Sequence, residues 1–300
     1  MPSFRSHVVY WVTKAVVKIF YNPQWPIERL RKQFIISIKL IPQRKAGTVK
    51  YDTIAGIKSL WITPDVLKTD GVVLYFHGGG YAVCSIDTHT KMCSIMARES
   101  GTKFLLVDYR LAPENVYPAC LDDALSAYQW LLNNGYPADK ILIGGDSAGG
   151  GLTVSAILAA RERGLPLPKA AFCLSPWLDL TSSGTSYQTN RGKEAYIDYE
   201  SIRRWSEFYA KKELHEMPFV SPLFGDLKGL PPMLLQVGNT EILQSDSENF
   251  AEKAKKAGVD ITLEVWPNMI HVWQMWTGIL PEANQAIVRI GEFVREKLKS

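Results

Sequence analysis

The sequence has few of the residues that bind metals or form disulfides. Its 300 residues include four cysteines, which lie far apart with no CxxC pair, and five histidines. This usage predicts buried free thiols in a reducing compartment and excludes a disulfide framework. We expect no metal and no other cofactor.

Dense charge and long apolar runs are also missing. The net charge of +4 is spread thinly, with no basic block, so we predict no nucleic-acid partner. The apolar stretch 8–20 is interrupted by Lys14 and Lys18, and no small-residue cleavage site follows it. From these features we expect neither a signal peptide nor a membrane span in this stretch. We therefore expect a cytoplasmic protein without stable membrane insertion, either a monomer or a homodimer.

Apolar runs alternate with helical patterns through most of the chain. A hairpin is predicted over Val49–Ile62, and helical patterns lie near residues 88–100, 119–134, 148–163, 246–257 and 283–299. Further strands are predicted at Val72–Phe76, Phe104–Asp108, Ile141–Ile143, Ala170–Leu174, Met233–Val237 and Ile261–Val265. Continuous apolar runs are typical of strands buried on both faces. The pattern predicts an α/β fold with a mostly parallel central sheet flanked by helices.

Two segments, residues 1–45 and 178–229, do not fit the alternation and are candidates for a lid on a catalytic domain of residues 46–300. In the first, apolar residues such as Trp11 and Ile19 recur at helical spacing. The helix would pack on the core or face the substrate, two interpretations between which the sequence does not choose. A helix on a membrane surface is a third, supported only by two lysines.

A serine lies in a glycine-rich turn where a predicted strand gives way to a predicted helix. The segment Gly145-Asp-Ser147-Ala-Gly149 fits the G-x-S-x-G pattern of a nucleophile elbow. A sharp turn forces unusual backbone angles on the serine, and flanking glycines remove Cβ atoms that would clash. The context predicts that Ser147 is an exposed nucleophile.

A second glycine cluster, His77-Gly-Gly-Gly80-Tyr81, follows strand Val72–Phe76. Three consecutive glycines indicate a close approach of the backbone to a ligand, here an oxyanion. We expect a structural role for His77. Tyr81 and Trp177 are candidates to line the substrate pocket, with packing in the core, common for aromatic residues after strands, as the alternative; we assign Tyr81 to substrate binding.

The serine needs a base, and His271 follows the last predicted strand, which matches the order Ser…acid…His. The acid should follow strand Met233–Val237, where Glu241 and Asp246 both qualify.

Three motifs together resemble one family. His77–Gly80, Asp108-Tyr-Arg-Leu-Ala-Pro-Glu114 and Gly145-Asp-Ser-Ala-Gly-Gly150 are similar to motifs of the bacterial hormone-sensitive-lipase-like (family IV) esterases of the GDSAG group. The resemblance implies an α/β-hydrolase fold, with Ser147 as nucleophile and His271 as base.

It also implies an oxyanion hole from the amides of Gly79, Gly80 and Ala148, and a helical cap that includes residues 1–45. By alignment it favours Glu241 as the acid, which leaves Asp246 to cap the helix that starts near Ser247.

The implied activity is hydrolysis of short- to medium-chain carboxylic esters, small-molecule substrates, through an acyl-enzyme. An amidase or deacetylase would use the same residues. A non-catalytic receptor of the same fold is disfavoured because Ser147 and His271 are both present.

Overall fold

An eight-stranded sheet forms the centre of the molecule. This computed structural model describes residues 2–40 and 46–299; residues 1, 41–45 and 300, which belong to the predicted segments 1–45 and 46–300, lie outside the described residues. The strands are β1 (Thr48–Ile54), β2 (Ile57–Thr63), β3 (Val72–Phe76), β4 (Lys103–Val107), β5 (Ile141–Asp146), β6 (Ala170–Leu174), β7 (Met233–Gly238) and β8 (Ile261–Trp266).

The strand order across the sheet is β1-β2-β4-β3-β5-β6-β7-β8. The pairs β1–β2 and β2–β4 are antiparallel, and all other neighbours are parallel. The predicted hairpin and the mostly parallel sheet are therefore confirmed.

Helices cover both faces of the sheet. In the described residues they are α1 (Phe4–Phe20), α2 (Ile27–Leu40), α3 (Ile86–Ser100), α4 (Ala119–Asn133), α5 (Ala148–Glu162), α6 (Ser186–Thr189), α7 (Tyr199–Tyr209), α8 (Gln244–Lys256) and α9 (Pro281–Lys299). Side chains of α3 and α9 share one core with Val73 and Tyr75 of β3, whereas α4, α5 and α8 share the other with Leu74. Since successive residues of a strand point to opposite faces, a sheet covered on both sides needs the continuous apolar runs seen in the sequence.

The segments that carry the predicted site residues all follow strands of the parallel part of the sheet. His77–Gly80 follows β3, Ser147 follows β5, Glu241 follows β7 and His271 follows β8. Because the carboxyl ends of parallel strands lie at one edge, the topology brings these four segments together there.

The turn between β5 and α5 is strained at one residue. Ser147 has φ 53° and ψ −122°, a region that side chains other than glycine rarely adopt. Its amide donates to the carbonyl of Leu174, 2.8 Å away, and its own carbonyl accepts from the amides of Gly151 and Trp177. These three backbone hydrogen bonds hold the turn in its strained conformation.

Two glycines flank Ser147 because the turn lies directly against the end of β3. A Cβ on Gly149 would be 2.1 Å from the carbonyl oxygen of Phe76, and one on Gly145 would be 2.3 Å from the carbonyl oxygen of Gly149. These carbonyl oxygens belong to the backbone and cannot move aside as the end of a flexible side chain could. The glycines are required by the close approach of two backbones.

The N-terminal helix α1 turns most of its apolar side chains away from the core. Its buried residues are Ser6, Val9 and Thr13. Most of its apolar side chains instead face solvent, with Trp11 63% and Ile19 70% exposed. The interpretation that this apolar stripe packs on the core is wrong. The helix is attached by Val9 and Tyr10, which pack in a small apolar cluster with Trp273, and by polar contacts. The amide and hydroxyl of Ser3, for example, donate to the Glu282 carboxylate over 2.6 and 3.0 Å.

The cysteines and the hydropathy of the helices can be compared with what the composition predicts. Cys93, Cys120 and Cys173 are buried, Cys84 is partly buried, and all four are free thiols. Within residues 2–40 and 46–299, no helix has both the length and the hydropathy needed to cross a bilayer.

The glycine at position 149 provides a test of the turn geometry. We expect Gly149→Ala to lower the free energy of unfolding by about 1–3 kcal/mol, because the new methyl group overlaps the Phe76 carbonyl. Urea denaturation measures the change. Gly192→Ala is the matched control, since a Cβ there meets nothing within 4 Å, and we expect it to stay within about 0.5 kcal/mol of wild type. Equal stability of the two variants would contradict this account.

Candidate active site

Ser147 lies in a cavity formed where the sheet edge meets the added helices. Gly79, Gly80 and His271 line the same cavity. Its other walls come from α2, the start of α3, the end of β5, the segment 178–229 and the chain after β8. These residues are Phe34, Cys84, His89, Asp146, Tyr196, Ile197, Trp205, Val272, Met275 and Trp276. The structure thus brings the predicted nucleophile, base and glycine loop to one place.

His271 and Glu241 form a buried hydrogen-bonded pair. Nδ1 of His271 donates to Oε2 of Glu241 over 2.8 Å, and the side chains are 3% and 0% exposed. Burial by itself would lower the pKa of His271, but the hydrogen bond and the charges of Glu241 and Glu194 outweigh it and raise the pKa above 6.5. The contact also leaves Nε2, the other ring nitrogen, for chemistry in the cavity.

The second oxygen of Glu241 is held by its own loop and by Ser175, the residue that follows β6. Oε1 accepts from the hydroxyl of Ser175 over 2.8 Å and from the amide of Gly238 over 2.5 Å. The Ser175 hydroxyl in turn accepts from the amide of Val272, next to the histidine. Ser175 therefore joins the acid loop to the histidine loop.

Asp246, the other acid that the sequence allows, faces away from His271. Its carboxylate accepts from the amides of Leu178 and Asp179 at 2.9 and 3.0 Å and from the hydroxyl of Tyr187 at 3.1 Å. Burial and the nearby Asp179 raise its pKa. The expected N-cap role is also wrong, because α8 begins at Gln244 and Asp246 lies within its first turn.

The glycine loop after β3 has left-handed backbone angles at two positions. Gly79 and Gly80 have φ of +117° and +59°, and a Cβ on Gly80 would be 2.5 Å from the Trp205 ring. Among the described residues, none accepts a hydrogen bond from the amides of Gly79, Gly80 or Ala148. Three backbone donors near Ser147 therefore remain available.

Asp146 connects the serine turn to this loop. Its buried carboxylate accepts from the hydroxyl of Tyr75 at 2.8 Å, the amide of Gly78 at 3.1 Å and Nε2 of His89 at 3.2 Å. Burial would raise the pKa of Asp146, but His89 and these hydrogen bonds outweigh it and lower the pKa. Through these contacts Asp146 fixes the serine turn to the glycine loop.

His77, the first residue of the same loop, contacts the loop backbone and the neighbouring core. Its Nδ1 donates to the carbonyl of Gly78 at 2.7 Å, and its ring stacks on Tyr109 with centroids 4.3 Å apart. Burial, with His89 nearby, lowers its pKa to about 3, so the ring is neutral. These contacts agree with a structural role.

Tyr81 and Trp177 do not line the cavity. The Tyr81 ring is 1% exposed and stacks on Tyr209 with centroids 3.9 Å apart, and Trp177 is fully buried beside it. Assigning Tyr81 to substrate binding is therefore wrong. Tyr81 has φ +60°, so the loop turns at this residue and directs its side chain into the core.

Two residues of the segment 178–229 hold the loop that carries Glu241 (the acid loop), and the sequence does not predict them. The Glu194 carboxylate accepts from the amides of Ala195 at 2.8 Å, Tyr196 at 2.9 Å and Ile242 at 3.1 Å. The side-chain amide of Asn190 donates to the carbonyl of Glu241 at 2.9 Å. Burial, with Glu241 nearby, raises the pKa of Glu194 to about 7. No spacing in the sequence marks these residues, since their partners on the acid loop lie 48 and 51 positions away.

Comparison with known proteins identifies the family of the chain. Residues 73–275 match a family model described as the α/β-hydrolase fold. An acetyl-hydrolase of Streptomyces hygroscopicus is 41% identical over 244 residues, which are 81% of this chain and 81% of that protein. An esterase of Acinetobacter venetianus is 34% identical over 256 residues, which are 85% of this chain and 84% of that protein.

A solved structure covers almost the whole chain. The crystal structure of an esterase from the bacterial hormone-sensitive lipase family superposes with a TM-score of 0.94 at 40% identity and covers 99% of both chains. The chain therefore belongs to the α/β-hydrolase fold family and, within it, to the carboxylesterases of the bacterial hormone-sensitive-lipase type.

Proposed function

We propose that this carboxylesterase hydrolyses short- to medium-chain esters through an acyl-enzyme on Ser147, with His271 as general base and Glu241 as the acid that orients it. One observation carries the assignment. His271 lines the same cavity as Ser147, and behind the cavity wall its Nδ1 donates a buried 2.8 Å hydrogen bond to Glu241. A serine hydroxyl requires such a base near neutral pH.

Acylation begins when Ser147 Oγ attacks the carbonyl carbon of the ester. Nε2 of His271 takes the hydroxyl proton, and the carbonyl π electrons move onto the oxygen. When the tetrahedral intermediate collapses, the C–O bond to the alcohol breaks and Nε2 returns the proton to the leaving alcohol. Glu241 accepts from Nδ1 throughout, which keeps Nε2 directed at the reaction and stabilises the imidazolium.

Deacylation repeats these steps with water. Nε2 removes a proton from the water, the hydroxyl oxygen attacks the acyl carbon, and Ser147 leaves with the proton that Nε2 returns. In both halves the amides of Gly79, Gly80 and Ala148 receive the oxyanion. Each well-placed amide of this kind is worth about 3–4 kcal/mol of transition-state stabilisation.

The cavity walls support small, largely apolar substrates. Phe34 of α2 packs edge-to-face on Trp205 and Tyr196, and all three line the cavity. Helix α2 and the segment 178–229 thus form the part of the cap that limits acyl length. The acetyl-hydrolase relative favours an acetyl or similarly short acyl group. An amidase would use the same residues on a less reactive substrate.

Free thiols also support the expected location. The four unpaired cysteines suit a reducing compartment, which favours the cytoplasm.

Replacing the nucleophile tests the acyl-enzyme directly. We expect Ser147→Ala to lower kcat for a p-nitrophenyl ester by about 10⁶-fold without unfolding the protein. Wild type should show a burst of one nitrophenolate per active site at rapid mixing, and the variant should show none. A receptor would give no turnover in either form, and activity retained by the variant would refute the mechanism. Comparing p-nitrophenyl acetate with the matching acetanilide separates esterase from amidase.

The acid assignment predicts unequal effects for two carboxylates. Glu241→Gln should lower kcat by about 10⁴-fold, because the amide no longer holds the imidazole in the required tautomer. Asp246→Asn should keep kcat within about tenfold of wild type, because its carboxylate bonds only to the amides and the hydroxyl around Leu178. A larger loss of kcat in Asp246→Asn would reverse the assignment.

The same pair predicts the pH dependence. Since the pKa of His271 is raised above 6.5 and only the neutral ring accepts a proton, kcat/KM should fall with decreasing pH, with a midpoint above 6.5. In Glu241→Gln the residual activity should titrate at lower pH, because the charge that favours imidazolium is gone. An unchanged midpoint would contradict this cause.

Trp205 is expected to limit acyl length. In Trp205→Leu the ratio of kcat/KM for p-nitrophenyl hexanoate over acetate should rise about tenfold, because the smaller side chain opens the wall beside Gly80. Phe224→Ala, a change at a partly exposed aromatic residue outside the cavity, serves as the control and should leave the ratio unchanged. A chain-length series measures both.

A further inference from the structure

Helix α1 has an unusual distribution of polarity. Two of its three buried residues, Ser6 and Thr13, are polar. Its outer face, by contrast, consists of exposed apolar side chains at helical spacing: Phe4 (82% exposed), Val8, Trp11 (63%), Val12, Val16 and Ile19 (70%). A surface helix normally turns its apolar stripe to the core. A continuous exposed stripe of this kind marks a surface that contacts something else.

The charges of the N-terminal segment all have one sign. Residues 2–27 include Arg5, Lys14 and Lys18 and no Asp or Glu, although the whole chain holds 30 acidic residues. Lys18 is exposed, and so is Arg5, whose guanidinium also donates to the carbonyl of Ile279 at 3.2 Å. Lys14 bends inward, where its Nζ donates to the carbonyl of Gly192 and to the hydroxyl of Tyr10. The outer face therefore combines apolar side chains with positive charge.

We propose that the outer face of α1 docks onto a lipid surface that carries anionic headgroups. An amphipathic helix with aromatic and aliphatic residues on one side and cations beside them lies in the plane of such an interface. This binding is peripheral and agrees with the finding that no described helix could span a bilayer.

The charge distribution favours lipid over a second copy of the chain. A symmetric pair of outer faces would place Arg5 and Lys18 of both copies around one shared apolar surface. No carboxylate in residues 2–27 would neutralise them. Anionic headgroups supply that neutralisation, and acyl chains cover the apolar side chains.

The docking face continues toward the catalytic cavity. A groove between α1 and α2 is lined by Val16, Val17, Phe20, Tyr21, Gln33, Phe34 and Tyr196. Phe34 and Tyr196 also line the cavity that holds Ser147. Docking through α1 would thus bring the cavity walls near the lipid surface, a source of apolar esters.

The attachment of α1 lets it dock while folded. Ser3 binds Glu282 of α9, and the hydroxyl of Tyr10 donates to the carbonyl of Lys193 at 2.7 Å. These polar contacts lie on the inner side of the helix, so they persist when the outer face is covered.

Vesicle co-sedimentation of the full chain tests the proposal. We expect wild type to bind mixed vesicles that contain equal parts of phosphatidylcholine and phosphatidylglycerol. Binding should be weaker to vesicles of pure phosphatidylcholine, and weaker to the mixed vesicles at high salt. Trp11→Ser/Ile19→Ser should lower the partition coefficient by about tenfold or more. The matched control Val66→Ser/Leu67→Ser, also at exposed apolar residues, should bind like wild type.

Hydrolysis of water-soluble p-nitrophenyl acetate by the Trp11→Ser/Ile19→Ser variant should match wild type, which shows that the fold is intact. This readout also separates the proposal from the catalytic mechanism, since binding is measured without turnover. The proposal is overturned if wild type stays in the supernatant or if the α1 variant sediments equally. It is also overturned if sedimentation velocity shows a dimer that this variant dissociates, which would make the outer face an interface between two copies.

Discussion

The hydrogen bond between Glu241 and His271 is the contact on which the rest of the site depends. It joins loops that follow two neighbouring strands, β7 and β8, and both of its partners are buried. A carboxylate removed from water is costly unless other donors replace its hydration. The amide of Gly238 and the hydroxyl of Ser175 are those donors. The same contacts that satisfy Glu241 also orient it toward the imidazole.

Buried carboxylates fasten loops to one another around the whole site. Asp146 binds the amide of Gly78, Glu194 binds the amide of Ile242, and Asp246 binds the amides at 178 and 179. Each carboxylate lies on one segment and accepts from the backbone of another. A buried amide left without an acceptor destabilises the folded state by about 1–3 kcal/mol. Each such hydrogen bond therefore stabilises the loop in its observed position. The catalytic geometry is therefore held mainly by backbone amides and carboxylates, with no Lys or Arg in these contacts.

The added helices make the site a cavity instead of an open edge. Phe34 and Trp205 come from segments far apart in the chain, and their ring centroids are 6.1 Å apart. The Trp205 ring also lies against Gly80, so the wall of the cavity packs on the loop that carries the amide donors. α1, which lies outside this wall, keeps its apolar side chains toward solvent. The cap therefore has an apolar inner lining and an apolar outer face.

The sequence by itself determined the α/β fold, the order of the strands along the chain and the placement of Ser147 and His271. These features depend on local patterns, because two-sided burial demands continuous apolar runs and a strained turn demands glycines. Only the tertiary structure decided which way side chains point and which distant segments they meet. The loop's turn at Tyr81 buries that ring, Asp246 meets a segment 68 positions earlier, and Glu194 meets Ile242. A periodic pattern likewise located α1 but did not show that its apolar stripe faces outward, since periodicity defines a face of a helix and not what lies against it.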